Sequence, residues 1–364
     1  MTQNPSLFTP MPLGPLTLAN RIVMAPMTRC RATSDHIPTP LMATYYHQRA
    51  SAGLIITEGT APSPNGVGYA RIPGIYNQHQ VAGWQTVTSA VHQQGGKIFL
   101  QIMHTGRVSH PLNMPEGSRI LAPSPVAMTG TMWTDQQAMQ PYPVPAAMTE
   151  EDIEQAIQSY IDGASRAIEA GFDGVELHAA NGYLIDQFLN TASNQRTDAW
   201  GGSIEHRIRF AVTVAQQVSA RIGATRVGMR ISPYGVFNDM KPDHDMDALY
   251  RALSVKLSDL GLAYIHVVDH SAMGAPSVPE DVKHIIRNHF KGAYILSGGY
   301  ETLDRAQADL ASGKGHLVAF GRPFISNPDL VDRLQNGAAL TSPNPETFYT
   351  PGEAGYTDYP ATNK

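Results

Sequence analysis

Cysteine is nearly absent from this sequence. Cys30 is the single cysteine among 364 residues, so no disulfide can form within the chain. Metals held by several thiolates and iron–sulfur clusters are excluded as well, because they require more than one cysteine at defined spacing. A chain without disulfides suits a reducing compartment, and we expect a cytoplasmic protein.

Charge and long apolar runs are also scarce. Charged residues make up 16% of the chain, the net charge is −5, and Lys and Arg form no run. Such a chain offers no basic field to a nucleic-acid backbone. No apolar stretch approaches the length of a membrane span, and residues 1–12 lack the cationic flank and apolar segment of an export signal. We expect no nucleic-acid partner, no membrane insertion and no export.

Short apolar segments, in contrast, recur along the whole chain. Each of eight is bounded by turn residues and followed by a helical pattern or by room for a helix. Continuous apolar runs are typical of parallel strands covered on both faces. Eight such units favour closure into one α/β domain, a (β/α)8 TIM barrel over residues 1–364. The predicted strands are residues 21–25, 54–57, 98–102, 174–178, 227–231, 264–268, 293–297 and 317–320.

Two of the intervening helices carry strong signals. Residues 153–168 and 204–222 repeat apolar side chains at helical spacing, which predicts one face packed on the barrel. Thr149 and Asp152 have the spacing of a capping box, and Ser203 is a predicted N-cap. The starts of both helices are therefore encoded locally.

A long excursion, residues 105–148, separates the third strand from its helix. It is rich in Pro and Met and has no sustained periodicity. Loops of this length in a compact domain are usually functional, and this one would lie over the carboxyl ends of the strands. We predict an active-site lid; a tolerated surface insertion is the alternative.

The fourth predicted strand ends at His178, and Asn181 and Tyr183 follow it at the mouth of the barrel. An imidazole N–H and an amide N–H can converge on one carbonyl oxygen and stabilise the enolate charge that develops there. A phenol, with an ordinary pKa of about 10, stays protonated at neutral pH and can act as an acid. Taken alone, each has a plainer interpretation: Asn181-Gly182 as a turn and His178 as a core histidine.

Glycines follow the last two predicted strands. Gly298 and Gly299 come after the seventh, and Gly321 precedes Arg322 after the eighth. Barrels build phosphate sites at these positions from backbone N–H groups and a cation. Glycine pairs are routine in turns, but two neighbouring strand ends together with an arginine favour a phosphate site.

The chain resembles the Old Yellow Enzyme family of flavoproteins, which includes pentaerythritol tetranitrate, morphinone and N-ethylmaleimide reductases. The resemblance covers nearly the whole length, and agreement in many separated stretches is more specific than any single motif. The matching stretches are residues 20–29, 46–53, 101, 104–107, 178–188, 194–207, 321–330 and 355–360.

The resemblance implies FMN, bound without a covalent link at the carboxyl ends of the strands. Thr28 would contact a flavin carbonyl oxygen, Gln101 would bond the pyrimidine edge, and Arg230 would place positive charge near that ring. Arg322 would pair with the phosphate. The predicted cofactor residues are Ala25, Pro26, Met27, Thr28, Gly59, Gln101, Arg230, Ser297, Gly298, Gly299, Gly321, Arg322 and Phe348.

The implied activity is ene reduction in two half-reactions at one site. NADPH or NADH gives hydride to FMN, leaves, and is replaced by an enone, enal, maleimide or nitro compound. His178 and Asn181 would hold its oxygen, and Tyr183 would protonate the α-carbon. Tyr69, Met103 and Tyr349 are the predicted substrate-pocket residues. We expect no metal, and a monomer or homodimer.

Departures from the family lie near the substrate. Met103 stands where many relatives carry Trp, which predicts a roomier pocket on that side unless its side chain turns into the barrel packing. Residues 269–274 lack an aromatic that some relatives have. Cys30 does not align with the cysteine that one branch places at the flavin, since Thr28 occupies that position.

Two other functions stay open on the fold alone. A metal-dependent or Schiff-base hydrolase or aldolase would need clustered ligands or a lysine at a strand end, and the predicted strands end in neither. A non-catalytic flavin-binding sensor would not need His178, Asn181 and Tyr183 together.

Overall fold

The computed structural model of the chain describes residues 6–362. Within them, eight parallel strands form a closed barrel in which each strand pairs with the next in the chain and the eighth pairs with the first. This confirms the predicted (β/α)8 TIM barrel. The strands are β1 Ile22–Met24, β2 Leu54–Ile56, β3 Ile98–Ile102, β4 Gly174–Ala179, β5 Val227–Ile231, β6 Tyr264–Val268, β7 Ala293–Ser297 and β8 Leu317–Phe320.

The predicted strand positions are confirmed, and no predicted strand end differs from the observed one by more than one residue. Every residue of β1, β2, β3 and β5 is buried, as expected for strands with helices outside and side chains inside. The regular bounds of β1 and β2 are shorter than predicted. Their backbones nevertheless pair one residue further, because Ala25 N–H donates to Phe320 O and Thr57 N–H to Phe99 O.

Helices surround the barrel and follow the strands in order. They are α1 Pro40–His47, α2 Gln78–His92, α3 Glu150–Glu169, α4 Leu184–Leu189, α5 Ile204–Ile222, α6 Met246–Leu260, α7 Glu280–His289, α8 Leu303–Ala311, α9 Arg322–Ser326 and α10 Leu330–Asn336. No helix formed by the described residues is both long and apolar enough to cross a bilayer.

Both predicted helix starts are confirmed. Asp152 N–H donates to Thr149 Oγ1 at 3.1 Å and Thr149 N–H donates to Asp152 Oδ2 at 3.0 Å, which is a complete capping box for α3. Ser203 Oγ accepts from His206 N–H at 3.3 Å at the start of α5. Local side-chain chemistry thus sets where the two longest helices begin.

The amino end of the barrel is closed by a hairpin, and its carboxyl end is left open. Antiparallel strands Met11–Leu13 and Leu16–Leu18 pack their apolar side chains against barrel residues such as Val23 and Phe99. The main cavity lies at the open end, where the predicted site was expected.

The excursion after β3 contains strands that its sequence pattern did not predict. Thr131–Thr134 pairs antiparallel with Ala138–Pro141, and Leu121–Ala122 pairs with Ala146–Ala147. Met128 and Met132 are buried against Tyr69 and Tyr183. No described residue of 105–148 lines the main cavity, so the lid stays a prediction.

Candidate active site

A cavity of about 300 Å³ opens at the carboxyl ends of the strands. Its lining comes from the ends of β1, β3, β4, β5, β6, β7 and β8, so the side chains that meet there are far apart in the sequence. The predicted residues that line it are Ala25, Pro26, Met27, Thr28, Gln101, Met103, His178, Asn181, Tyr183, Arg230, Ser297, Gly298, Gly299, Gly321, Arg322, Phe348 and Tyr349.

Two predicted residues do not line the cavity. Gly59 lies behind Met103: a Cβ built on Gly59 would come within 2.5 Å of the Met103 Sδ and Cε atoms. Tyr69 lies behind Tyr183, and their phenolic oxygens are 2.9 Å apart. Each therefore shapes the site through a lining neighbour.

The His178 imidazole is neutral and partly unpaired. It is buried at the end of β4, and burial together with the Arg230 charge holds its pKa well below the ordinary value. Among the described residues, its Nδ1 has no hydrogen-bond partner. A neutral imidazole has one N–H to donate and does not carry a competing charge into the cavity.

Asn181 is held so that its amide group faces the cavity. Its backbone is left-handed, with φ 59°, and its N–H donates to Ser232 Oγ at 2.8 Å. His270 Nε2 donates to the Asn181 Oδ1 at 2.8 Å, which leaves the amide NH₂ as the free end. Burial lowers the pKa of His270 to about 4, so His270 is neutral at pH 7.

The turn interpretation of Asn181-Gly182 is confirmed, and the turn places Asn181 in the lining of the cavity. Gly182 has φ 75°, and a Cβ there would come within 2.8 Å of the Asn238 Cβ. Asp186 in α4 accepts from the Gly182 N–H at 2.8 Å. Glycine is thus required for the turn that directs the amide of Asn181 into the cavity.

Tyr183 is a protonated phenol directly beside His178. Burial raises its pKa to about 12, so it keeps its proton at neutral pH. The Tyr183 and His178 ring centres are 4.9 Å apart with the rings nearly perpendicular. A protonated phenol and a neutral imidazole therefore lie side by side in the lining of the cavity.

Further residues that line the cavity fit FMN. Gln101 and Arg230 are buried polar groups at the ends of β3 and β5, and Arg230 Nε has no partner among the described residues. Gly299 has φ 62°, and a Cβ there would meet the Ala272 Cβ at 2.2 Å, so this position requires glycine; Gly299, Gly321 and Arg322 all line the cavity. Gln101 and Arg230 offer polar partners to the imide edge of a flavin, and glycine backbone N–H groups with an arginine suit a phosphate.

Comparisons with known proteins decide the family. Residues 6–341 match the NADH:flavin oxidoreductase / NADH oxidase family. The chain belongs to this family. The expected resemblance is thereby confirmed, with FMN as its cofactor and a nicotinamide nucleotide as its electron donor.

Relatives and solved structures agree along the whole chain. A "Probable flavin mononucleotide-dependent alkene reductase" of Leishmania infantum is 46% identical over 358 residues, 97% of each chain. Chanoclavine-I aldehyde reductase of Penicillium roqueforti is 43% identical over 97% of this chain and 95% of its own. The morphinone reductase structure superposes with a TM-score of 0.94 at 44% identity, covering 99% of this chain and 97% of that one.

Two side chains that hydrogen-bond to predicted site residues were missed from the sequence. His270 lies two residues beyond the end of β6, so the rule that barrel sites form at strand ends could have indicated it. Glu176, buried inside β4, pairs with Gln101 and His266, residues 75 and 90 positions away. No local signal indicates such a contact.

Proposed function

We propose that this cavity reduces the activated C=C bond of a small unsaturated carbonyl, imide or nitro compound with hydride from NADPH or NADH. One observation carries the proposal: His178, Asn181 and Tyr183 present a neutral imidazole, an amide NH₂ and a protonated phenol on one wall. The first two suit an oxygen, and the third is an acid.

Other residues that line the same cavity suit the cofactor. Gln101 and Arg230 would hold the pyrimidine edge, Thr28 a flavin carbonyl oxygen, and the glycines after β7 and β8 with Arg322 the phosphate. FMN bound there supplies hydride transfer, from the nicotinamide to the β-carbon of the substrate.

His178 and Asn181 polarise the substrate oxygen. Both donors are in place before substrate arrives, because burial keeps His178 neutral and His270 holds the Asn181 oxygen. As the β-carbon takes up hydride, negative charge moves to that oxygen. Preorganised donors in a buried site stabilise such charge more than water does.

Tyr183 completes the addition by giving up its proton. Its O–H bond breaks, a C–H bond forms at the α-carbon, and the electron pair stays on the phenolic oxygen. Tyr69 lies 2.9 Å from that oxygen and can stabilise it by donating a hydrogen bond. Delivery from the face opposite the hydride gives net trans addition.

The site recognises a class of small molecule. Enones, enals, maleimides and nitroalkenes share an electron-poor C=C bond conjugated to an oxygen that two donors can hold. The proposal also includes a cytoplasmic location and an oligomeric state of monomer or homodimer. Sedimentation of the purified protein tests the oligomeric state. Among the described residues, no group of three His, Cys, Asp or Glu side chains could hold a metal ion.

One anaerobic titration tests the function. The purified protein should be yellow, bleach with NADPH or NADH, and regain its colour with 2-cyclohexenone. A colourless protein contradicts the FMN assignment. If the protein bleaches but no member of the substrate class restores the yellow colour, the result supports a flavin-binding sensor instead.

Substituting both oxygen-binding residues tests their roles. His178→Ala/Asn181→Ala should keep FMN and lose enone reduction; loss of one such donor costs roughly 10²–10³ in rate. Unchanged enone rates at full flavin occupancy would contradict the assignment.

A further inference from the structure

A buried polar layer lies directly beneath the cavity, inside the barrel. Glu176 in β4 and His266 in β6 are fully buried and do not line the cavity, whereas Gln101 and Arg230 in the same layer do. In the strand register Glu176 is the partner of Gln101, and Arg230 is the partner of His266. Two hidden side chains thus support two cavity residues.

Glu176 determines which end of the Gln101 amide faces the cavity. Gln101 Nε2 donates to Glu176 Oε1 at 2.8 Å, and His266 Nδ1 donates to Glu176 Oε2 at 2.8 Å. An ionised carboxylate accepts only, so a reversed amide would bring two oxygens together. The Gln101 carbonyl oxygen is therefore the end available to a ligand, and it suits an N–H donor.

Glu176 also sets the charge of this layer. Burial acts to raise its pKa, but His266, Arg230 and the Gln101 hydrogen bond together bring the pKa below the ordinary value. Burial lowers the pKa of His266 and raises that of Tyr264, so both are neutral at pH 7. Within the described part of this layer, Glu176 and Arg230 are the two charges, and they offset one another.

We infer that Glu176 is a positioning residue for the flavin: it turns the Gln101 oxygen toward the flavin imide N–H, and it offsets the positive charge that Arg230 brings to the pyrimidine edge. The inference rests on the proposed placement of FMN against Gln101 and Arg230. The carboxylate acts through these two neighbours and touches neither flavin nor substrate.

The two parts of the role separate by substitution. Glu176→Gln removes the charge at nearly constant volume, so Arg230 should favour the reduced, more negative flavin. The equilibrium between oxidised and reduced bound FMN should shift at least tenfold toward the reduced form. This shift corresponds to a two-electron midpoint potential about 30 mV more positive than that of the parent. Glu176→Asp keeps the charge but shortens the reach to Gln101. It should bind oxidised FMN several-fold more weakly and keep the equilibrium within threefold of the parent.

Dye equilibration of the anaerobic holoenzyme measures the equilibrium between oxidised and reduced bound FMN. Fluorescence titration of the apoprotein with FMN measures the affinity for oxidised FMN. A second pair of variants guards against failure of Glu176→Gln to fold, since loss of one partner leaves a buried charge unpaired. Arg230→Met should shift the equilibrium toward oxidised flavin. The double variant Arg230→Met/Glu176→Gln removes both charges. Its equilibrium between oxidised and reduced bound FMN should be shifted at least threefold toward the reduced form relative to Arg230→Met.

The outcomes distinguish this inference from the function on which it rests. Failure of the parent protein to bind FMN would overturn both. Normal FMN binding by the parent, with an unchanged equilibrium in Glu176→Gln and in the double variant relative to Arg230→Met, would overturn the charge role. Equal losses of affinity for oxidised and reduced FMN in every variant would mean that Glu176 only supports packing.

Discussion

At the residue scale, Tyr69 has the most specific relation to the proposed acid. Its phenolic oxygen lies 2.9 Å from that of Tyr183, and the two rings meet edge to face. Only one hydrogen can occupy the space between the oxygens. When Tyr69 supplies it, the Tyr183 hydrogen is free to point into the cavity, and the oxygen left after proton transfer keeps a donor.

Tyr69→Phe should therefore slow reoxidation of the flavin by 2-cyclohexenone about tenfold, the equivalent of one hydrogen bond to a developing charge. Tyr183→Phe should slow it by roughly 10²–10⁴. Reduction by the nicotinamide should change little in either, since that step needs no proton from Tyr183. Stopped-flow absorbance of the flavin resolves the two half-reactions.

The double variant is the control for this pair. Because Tyr69 acts through the Tyr183 oxygen, Tyr69→Phe/Tyr183→Phe should be no slower than Tyr183→Phe alone. Multiplying losses, or equal slowing of both half-reactions, would show that Tyr69 shapes the pocket and does not assist the acid.

Met103 is a second residue whose position makes a testable difference. It lines the cavity, and it also packs into the notch left by Gly59. An indole is wider and stiffer than a thioether. Met103→Trp should lose activity on a bulky β-substituted enone while keeping activity on 2-cyclohexenone, as steady-state rates on both substrates would show. A parallel change in both rates would place the effect in the barrel packing.

The residues that line the cavity were predictable where they are close together in the chain. His178, Asn181 and Tyr183 fall within six consecutive residues at the end of a strand, so the pattern itself presents them. His270 reaches the Asn181 oxygen from 89 positions away, and Glu176 works through Gln101 and His266. Such support comes from barrel closure, and no single stretch of sequence encodes it.

At the element scale, the sequence predicted the strands better than the excursion. Buried parallel strands are continuous apolar runs, and each of the eight lies where its run indicated. The hairpin of Thr131–Thr134 and Ala138–Pro141 was missed because its turn has no Asn-Gly or Asp-Gly pair. Ala138 there adopts φ 54°, which a non-glycine sequence does not indicate.

The capping box of α3 supports a prediction at this scale. Thr149→Ala should remove about 1 kcal/mol from the free energy of unfolding, because Asp152 N–H loses its acceptor. Urea unfolding at a fixed FMN concentration measures it. Thr86→Ala is the matched control: Thr86 is exposed inside α2, where alanine is the better helix former, so this variant should lose nothing. Equal losses in both variants would contradict the cap.

At the scale of the whole molecule, the C-terminal segment completes the site. Arg29 Nη2 donates to Gly355 O at 2.7 Å, and Arg31 Nη1 donates to Phe348 O at 2.7 Å, across more than 300 residues. These bonds place Phe348 and Tyr349 on the cavity wall. The resemblance predicted that both residues belong to the site, but the arginine contacts that bring them there were not visible in the sequence.

The last prediction concerns how stability of the whole fold depends on pH. Burial raises the pKa of Asp186 to about 7, whereas an aspartate in the unfolded chain has a pKa of about 4. The folded state therefore binds this proton more tightly, and the stability it contributes is complete below pH 4 and lost as the pH rises through 7. The loss is on the order of 4 kcal/mol.

Asp186→Asn keeps an oxygen for the Gly182 N–H and never ionises. Its melting temperature, with FMN in excess, should exceed that of the parent by a margin that widens from pH 5 to pH 7 and stays constant above. Asp304→Asn, an exposed position, should show no such widening. A constant margin for Asp186→Asn would mean that the carboxyl is not protonated in the folded protein at pH 5.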